Sequence, residues 1–224
     1  MKYHFRLFIF LLLFLSLAGC RSIPFKDINY VALGDVDPEK LRQEFQESLA
    51  KKIEVINSIV FQYKWQSFSA LGYTRLDLEN NTFQVSCMNP VGVKLFELTG
   101  SRHEIKATFV LKELLQRGDL PRAVGEDIRR IYFDLAPTQE ANIKKEKYRI
   151  IFSQPYGQGQ MKYIFGGPQC WLIEKQYFEK KRKIWSVYYY DYTLDKDSKL
   201  CPAGVVLKHH RFGYNLIIRL KEVR

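Results

Sequence analysis

From Ile59 onward the chain adopts a period of two and keeps returning to it, and nothing else in its 224 residues constrains the fold as strongly. Ile59, Phe61, Tyr63 and Trp65 alternate with Val60, Gln62, Lys64 and Gln66, the pattern of a half-buried strand. Tyr73 to Leu78 and Thr82 to Cys87 flank Glu79-Asn80-Asn81; asparagine tolerates left-handed backbone geometry, so this segment is read as a hairpin. Val93 to Thr99 and Glu104 to Val110 continue the antiparallel run after the turn Asn89-Pro90-Val91-Gly92. Further strands are expected at Lys147 to Ser153, Met161 to Phe165, Trp171 to Phe178, Ile184 to Tyr192, Val205 to His209 and Tyr214 to Val223. The total is about eleven strands, separated by turns rich in glycine, proline and lysine.

Helical signals occur at two places only. Asp37-Pro38-Glu39 supplies an N-cap, a proline at the first helical position and an acidic first turn. Leu41, Phe45, Leu49 and Ile53 follow at intervals of four, so the spacing predicts one helix running through Ile53 with its apolar stripe on a sheet. Between the two β runs, Leu111 to Arg117 predicts a short helix stopped by Gly118. Asp119 and Pro121 start a second, whose apolar positions are Leu120, Val124, Ile128, Ile131 and Leu135. Helices inserted between two antiparallel runs exclude alternating βαβ units. The expected fold is α+β: a strongly curved antiparallel sheet with two or three helices inside it.

The N-terminus carries a different message. Lys2 and Arg6 precede an almost unbroken apolar run from Leu7 to Leu17, and Leu17-Ala18-Gly19-Cys20 resembles a bacterial lipobox, in which the cysteine is lipidated and becomes the mature N-terminus. The run is too short for a spanning helix, which needs about 20 apolar residues. Residues 1–19 are therefore read as a lipoprotein signal peptide, 20–36 as a lipid-anchored tether and 37–224 as a single domain. Arg21 stands where an aspartate would favour retention in an inner membrane, so the resemblance implies an outer-membrane anchor with the domain in the periplasm.

Cleavage removes Lys2 and Arg6 and lowers the formal charge from +11 to +9. Such a balance suits an acidic partner or anionic lipid, and export argues against nucleic acid. Cys87, Cys170 and Cys201 remain, either with one disulfide or as buried apolar side chains.

No G-x-S-x-G, H-E-x-x-H or phosphate-loop motif is present, and His103, His209 and His210 lack partners at metal-ligand spacing. Neighbouring His209 and His210 point to opposite faces of a strand. No catalytic residue, metal or cofactor is expected. The more informative constellation is large and apolar: Phe61, Tyr63, Trp65, Phe83, Val85, Ile105, Phe109, Tyr188, Tyr190, Leu216 and Ile218 on strands, with Val124 and Ile128 on a helix. A curved sheet bearing these either packs solid around its helices or leaves an apolar cavity.

The turn Asn89-Pro90-Val91-Gly92, lying between two strands after a helix and three earlier strands and behind a lipobox, resembles the LolB family of outer-membrane lipoprotein acceptors. That family has an Asn-Pro-Leu-Gly turn in the corresponding place, and its exposed leucine helps put lipoproteins into the membrane. Pro90, Val91 and Gly92 match it here, with valine in place of leucine. Leu120 to Leu135 resembles the family's lid helix, and Gly204 to Val223 its closing hairpin. The resemblance implies a strongly curved, unclosed antiparallel barrel of about eleven strands wrapped on two or three helices, with an acyl-chain cavity lined by Phe61, Tyr63, Trp65, Phe83, Val85, Phe109, Val124, Ile128, Tyr188 and Leu216. It implies as partners the acyl chains of lipoproteins or lipids, a periplasmic lipoprotein carrier, and membrane lipid through lipidated Cys20. The competing reading is a non-catalytic structural or assembly lipoprotein whose basic stretches, Asn142 to Arg149 and Lys175 to Lys183, bind an anionic envelope partner.

Overall fold

The computed structural model describes residues 24–116 and 118–223; the lipobox and Cys20 lie outside the described residues. Among the described residues the first element is helix α1 (Pro38–Ser48), followed by five strands, β1 (Lys52–Tyr63), β2 (Gln66–Asp77), β3 (Thr82–Met88), β4 (Lys94–Ser101) and β5 (Ile105–Val110). Helices α2 (Lys112–Leu115) and α3 (Leu120–Tyr132) come next. Seven further strands complete the chain: β6 (Asn142–Lys145), β7 (Arg149–Tyr156), β8 (Gly159–Gly166), β9 (Trp171–Glu179), β10 (Arg182–Leu194), β11 (Leu200–His209) and β12 (Tyr214–Val223). All twelve belong to one antiparallel sheet in the order β5-β4-β3-β2-β1-β12-β11-β10-β9-β8-β7-β6. The sheet is unclosed, with β5 and β6 at its edges, as the resemblance implies. The strand beyond the expected eleven is β6.

Helix α1 is shorter than its apolar spacing suggests. Asp37 Oδ1 accepts from the backbone of Glu39 at 2.9 Å and Lys40 at 3.4 Å, with Pro38 in the first turn, so the start is as predicted. The helix stops at Ser48; Leu49 is extended and bridges Leu200, and Ile53 belongs to β1. The four-residue step from Leu49 to Ile53 is also two steps of a period of two, and Ile53, Val55 and Ile56 are β-branched residues that favour extended backbone. Buried Phe45 packs edge-on against Phe165 with ring centroids 5.1 Å apart, which joins α1 to the sheet interior.

Register defines the faces. Ile53 pairs with Leu76, Val55 with Thr74, Ile59 with Ala70 and Phe61 with Phe68, so these residues share the inner face of β1 and β2. Phe83 and Val85 of β3 continue it opposite Leu76 and Thr74, and Leu98 of β4 lies opposite Val85. On the other arm Phe152, Tyr163, Phe165, Leu172, Val187, Tyr189 and Leu207 are buried in the same core. A second small apolar cluster, Ala70, Cys87 and Leu95, lies beneath Leu111 and Leu114 at α2. Cys87, Cys170 and Cys201 are free and buried, which resolves the open choice in favour of apolar side chains; burial pushes the Cys87 and Cys201 thiols up to about 12. Among the described residues, no helix is long and apolar enough to cross a membrane.

Candidate functional site

Helix α3 spans the inner face, and its fastenings gather toward its C-terminal half. Asp119 Oδ1 accepts from Arg122 N at 3.2 Å and starts the helix. Gly125 lets it approach β5 closely, since a Cβ there would sit 2.4 Å from Ile105 Cδ1. Arg129 donates to the Ser101 carbonyl at 2.7 Å and the Glu104 carbonyl at 2.9 Å. From the opposite arm the Tyr189 hydroxyl donates to the Ile131 carbonyl at 2.6 Å, and Lys175 Nζ donates to the Phe133 carbonyl at 2.7 Å. Lys175 is only 1% exposed, and burial lowers its pKa to about 7.

A polar cluster ties the middle of the helix to β12. The Tyr214 hydroxyl lies 2.8 and 2.7 Å from the two Asp127 carboxylate oxygens, and Arg130 donates to Oδ1 at 2.6 Å and to Glu126 at 2.8 Å. Burial raises the Asp127 pKa despite the Arg130 charge and the Tyr214 hydrogen bond, so desolvation outweighs its partners. His209 stacks between Phe212 and Tyr214 at centroid distances of 4.5 and 5.0 Å. Its pKa falls to about 4, through burial first and then the charges of Arg130 and Arg211, so the ring is neutral at physiological pH. Sequence reasoning missed Asp127. The available signal was its place among Val124, Ile128 and Ile131, where a carboxylate stands on an otherwise apolar stripe.

The residues expected to line a cavity fall into three groups. Phe83, Val85 and Ile128 are buried in the main core, and Val124 and Leu216 pack half-buried against it. Phe61 and Tyr63 continue the inner face toward the β1–β2 turn but emerge into solvent, with Phe68 exposed beside Phe61. Trp65 stands on the turn itself, 83% exposed. The remaining two, Phe109 and Tyr188, face away from these. A bulge between Glu97 and Leu98 pairs Phe109 with Glu97, and Lys94 lies over its ring. In β10 it is Tyr189 that reaches α3, so adjacent Tyr188 points to the convex face, near Tyr190 and beneath Lys208. The inner face is thus solid along β7 to β11, and open and apolar where Phe61, Tyr63 and Phe68 approach the rim.

The Asn-Pro-Val-Gly turn projects from the same end of the sheet. Asn89 Oδ1 accepts from Val91 N at 3.1 Å and Val93 N at 2.9 Å, while Gly92 N donates to the Asn89 carbonyl at 3.0 Å. Pro90 suits the second turn position, and Gly92 takes φ +88°. This scaffold holds Val91 outward, 83% exposed. Among the described residues no group of three or more His, Cys, Asp or Glu is arranged to hold a metal ion.

Solved structures with the same architecture carry little sequence identity to the chain. A LolA superfamily protein from Nitrosomonas europaea superposes with TM-score 0.53 at 7% identity, covering 84% of this chain and 93% of its own. The chain shares the fold of this LolA superfamily structure. A putative outer membrane lipoprotein-sorting protein domain from Vibrio parahaemolyticus matches the chain with TM-score 0.51 at 11% identity, covering 83% of it and 90% of the domain. A DUF1329 family protein from Desulfovibrio piger matches with TM-score 0.50 at 11% identity, covering 84% and 93%. No protein-family model matches the sequence, and no curated protein matches it.

Proposed function

We propose that the chain is a periplasmic protein, anchored to the outer membrane through lipidated Cys20, that holds acyl chains against the open part of its inner face and takes part in lipoprotein or lipid delivery. The observation that carries this reading is the exposed apolar continuation of the inner face, Phe61, Tyr63 and Phe68, at the end of the sheet from which Val91 projects. The LolA/LolB-type fold supports it, as does the description of one structural neighbour as lipoprotein-sorting. Each buried methylene contributes about 0.8 kcal/mol, so an acyl chain crosses water only where protein replaces membrane along its length. Val91 alone supplies about 1.5 kcal/mol on full burial. It would guide insertion of a chain that the bilayer itself draws in.

The solid packing along β7 to β11 favours a second reading, a structural lipoprotein that binds no acyl chain. Native extraction followed by mass spectrometry separates the two. Copurifying lipid, together with impaired lipoprotein delivery by Val91→Glu at unchanged thermal stability, is the expected result. Absence of lipid and full delivery by Val91→Glu would leave the structural reading standing.

A further inference from the structure

The two ends of the sheet differ in charge. At the end that bears Trp65 and Val91, five turns connect the strands: Lys64–Trp65, Asn89–Val93, Gly157–Gln158, Lys180–Lys181 and His210–Gly213. None contains a carboxylate, and together they carry Lys64, Lys180, Lys181 and Arg211. The turns at the opposite end contain Glu79, Glu104, Glu146, Asp195 and Asp197 together with Arg102, Lys147, Lys196 and Lys199, so that end is close to neutral. At the first end Arg211 is paired with Glu179, and Lys64, Lys180 and Lys181 supply the excess positive charge. The cationic end is also the one with apolar tips: Trp65, Val91, Val93 and Phe212 are all exposed. Trp65 and Phe212 stand on adjacent turns, because Tyr63 pairs with Tyr214 and Tyr214 with His209.

Two further observations bear on what covers this end. Lys180 and Lys181 have φ of 46° and 67°, left-handed positions that hairpins usually give to Asn or Gly, so lysine stands there against the preference of the turn. Beside them a surface concavity of about 320 Å³ is walled by Gln158, Gln160, Lys162, Phe178, Lys180 and Lys181, a lining of cations and amides without a carboxylate. The tether is also fixed. Phe25 stacks on Tyr190 at 4.9 Å and fills the space above Gly204, where a Cβ would sit 2.7 Å from its ring. Phe25 is five residue steps from Cys20, a reach of about 17 Å when extended. The five steps along β11 from Gly204 to His209 cover about the same distance to the cationic end. A lipid on Cys20 can therefore enter a bilayer on which this end rests.

We infer that these five turns form a docking surface for an anionic phospholipid bilayer, with Trp65, Val91 and Phe212 entering the interface and the Lys162, Lys180 and Lys181 concavity taking a phosphate-bearing headgroup. Amphipathic aromatics beside cations match the headgroup layer, where cations are attracted to an anionic surface. The inference deepens the acyl-handling reading and rests on its Cys20 anchor, because docking would open the apolar inner face directly above the lipid.

Trp65 is the reporter, since Trp185 is buried and Trp171 half-buried. The full chain, lipidated and reconstituted, is placed on phosphatidylcholine vesicles with or without phosphatidylglycerol, and flotation first measures the amount bound. Quenching by brominated acyl chains is then compared with that of Trp65→Phe. The expected result is Trp65-dependent quenching and a blue shift on phosphatidylglycerol vesicles, both lost in the Lys180→Gln/Lys181→Gln variant and at high salt. Lack of quenching on anionic vesicles, or equal quenching with and without phosphatidylglycerol, would overturn the inference. So would a Trp65 shift produced by a soluble carrier protein and not by vesicles. Lipid mass spectrometry on the same samples keeps the two readings apart: docking without copurifying lipid removes acyl handling alone, and lipid without docking removes this surface alone.

Discussion

Lys175 is a cation held where water does not reach, on the strand that faces the end of α3. Its pKa in the folded chain is about 7, below the 10.5 of an exposed lysine, because burial disfavours the charged amine. Between these values the unfolded chain binds more protons than the folded one, so stability rises with pH across that window, with nothing further lost below pH 7. The slope is at most about 1.4 kcal/mol per pH unit for a single group. Thermal denaturation of the wild type should therefore give a Tm that climbs between pH 7 and 9, and Lys175→Met should flatten that climb. An identical slope in the two proteins would mean that the amine is not the group responsible. The same side chain marks what sequence leaves hidden at this scale. Lys175 sits in a basic stretch that reads as solvated, and only its pairing with Tyr163 and Val187 turns it inward. Tyr188 and Tyr189 are equally ambiguous as neighbours, and the α3 contact made by Tyr189 decides between them.

At the scale of elements, α3 is held to β12 by the Asp127, Arg130 and Tyr214 cluster. Asp127→Ala leaves Arg130 half-buried beside Glu126 alone and should cost about 3–5 kcal/mol in urea unfolding at pH 7. Tyr214→Phe keeps the ion pair and removes one hydroxyl, so a loss of about 1–3 kcal/mol is expected. Equal losses in the two variants would place the energy in packing of the helix face instead. Most elements were legible. The strand pattern exposed β1 to β5 and β7 to β12, and the capping signals of Asp37 and Asp119 gave the starts of α1 and α3. Strand β6 escaped because Asn142-Ile143-Lys144-Lys145 offers one apolar residue; lysine is a common guard on an exposed edge and gives no period to read. Phe109 escaped for a different reason. A bulge reverses the side of every residue beyond it, and nothing in Ala107-Thr108-Phe109 announces one.

The whole molecule is a meander with a single exception. Every sheet neighbour is also a sequence neighbour, apart from β1 and β12, which pair from Val55 with Val223 to Tyr63 with Tyr214. That pairing joins the arm β1 to β5 to the arm β6 to β12, and α3 is fastened to both. Deleting residues 214–223 should leave β1 and β11 with unpaired edges and produce an aggregating chain; a soluble, monomeric product by size-exclusion chromatography would contradict this. The overall curvature was legible because strands outnumber helices and the helices interrupt them. The open part of the inner face was not, since a period of two cannot distinguish a residue against a packed core from one that faces an empty rim.

The β1–β12 seam also governs the order of events in the chain's life. Polypeptides are made N-terminus first, so β1 emerges among the earliest strands and its partner emerges last. Throughout that interval one edge of β1, with Ile56, Ile59 and Phe61, has no strand beside it. The contact is the most distant in sequence that the sheet contains, and contacts of that kind are slow to form. Completion of the fold is thereby tied to arrival of the final segment. A chain stalled before Tyr214 would present a sticky edge, a natural target for holding chaperones and proteases, and only a fully delivered chain would escape them.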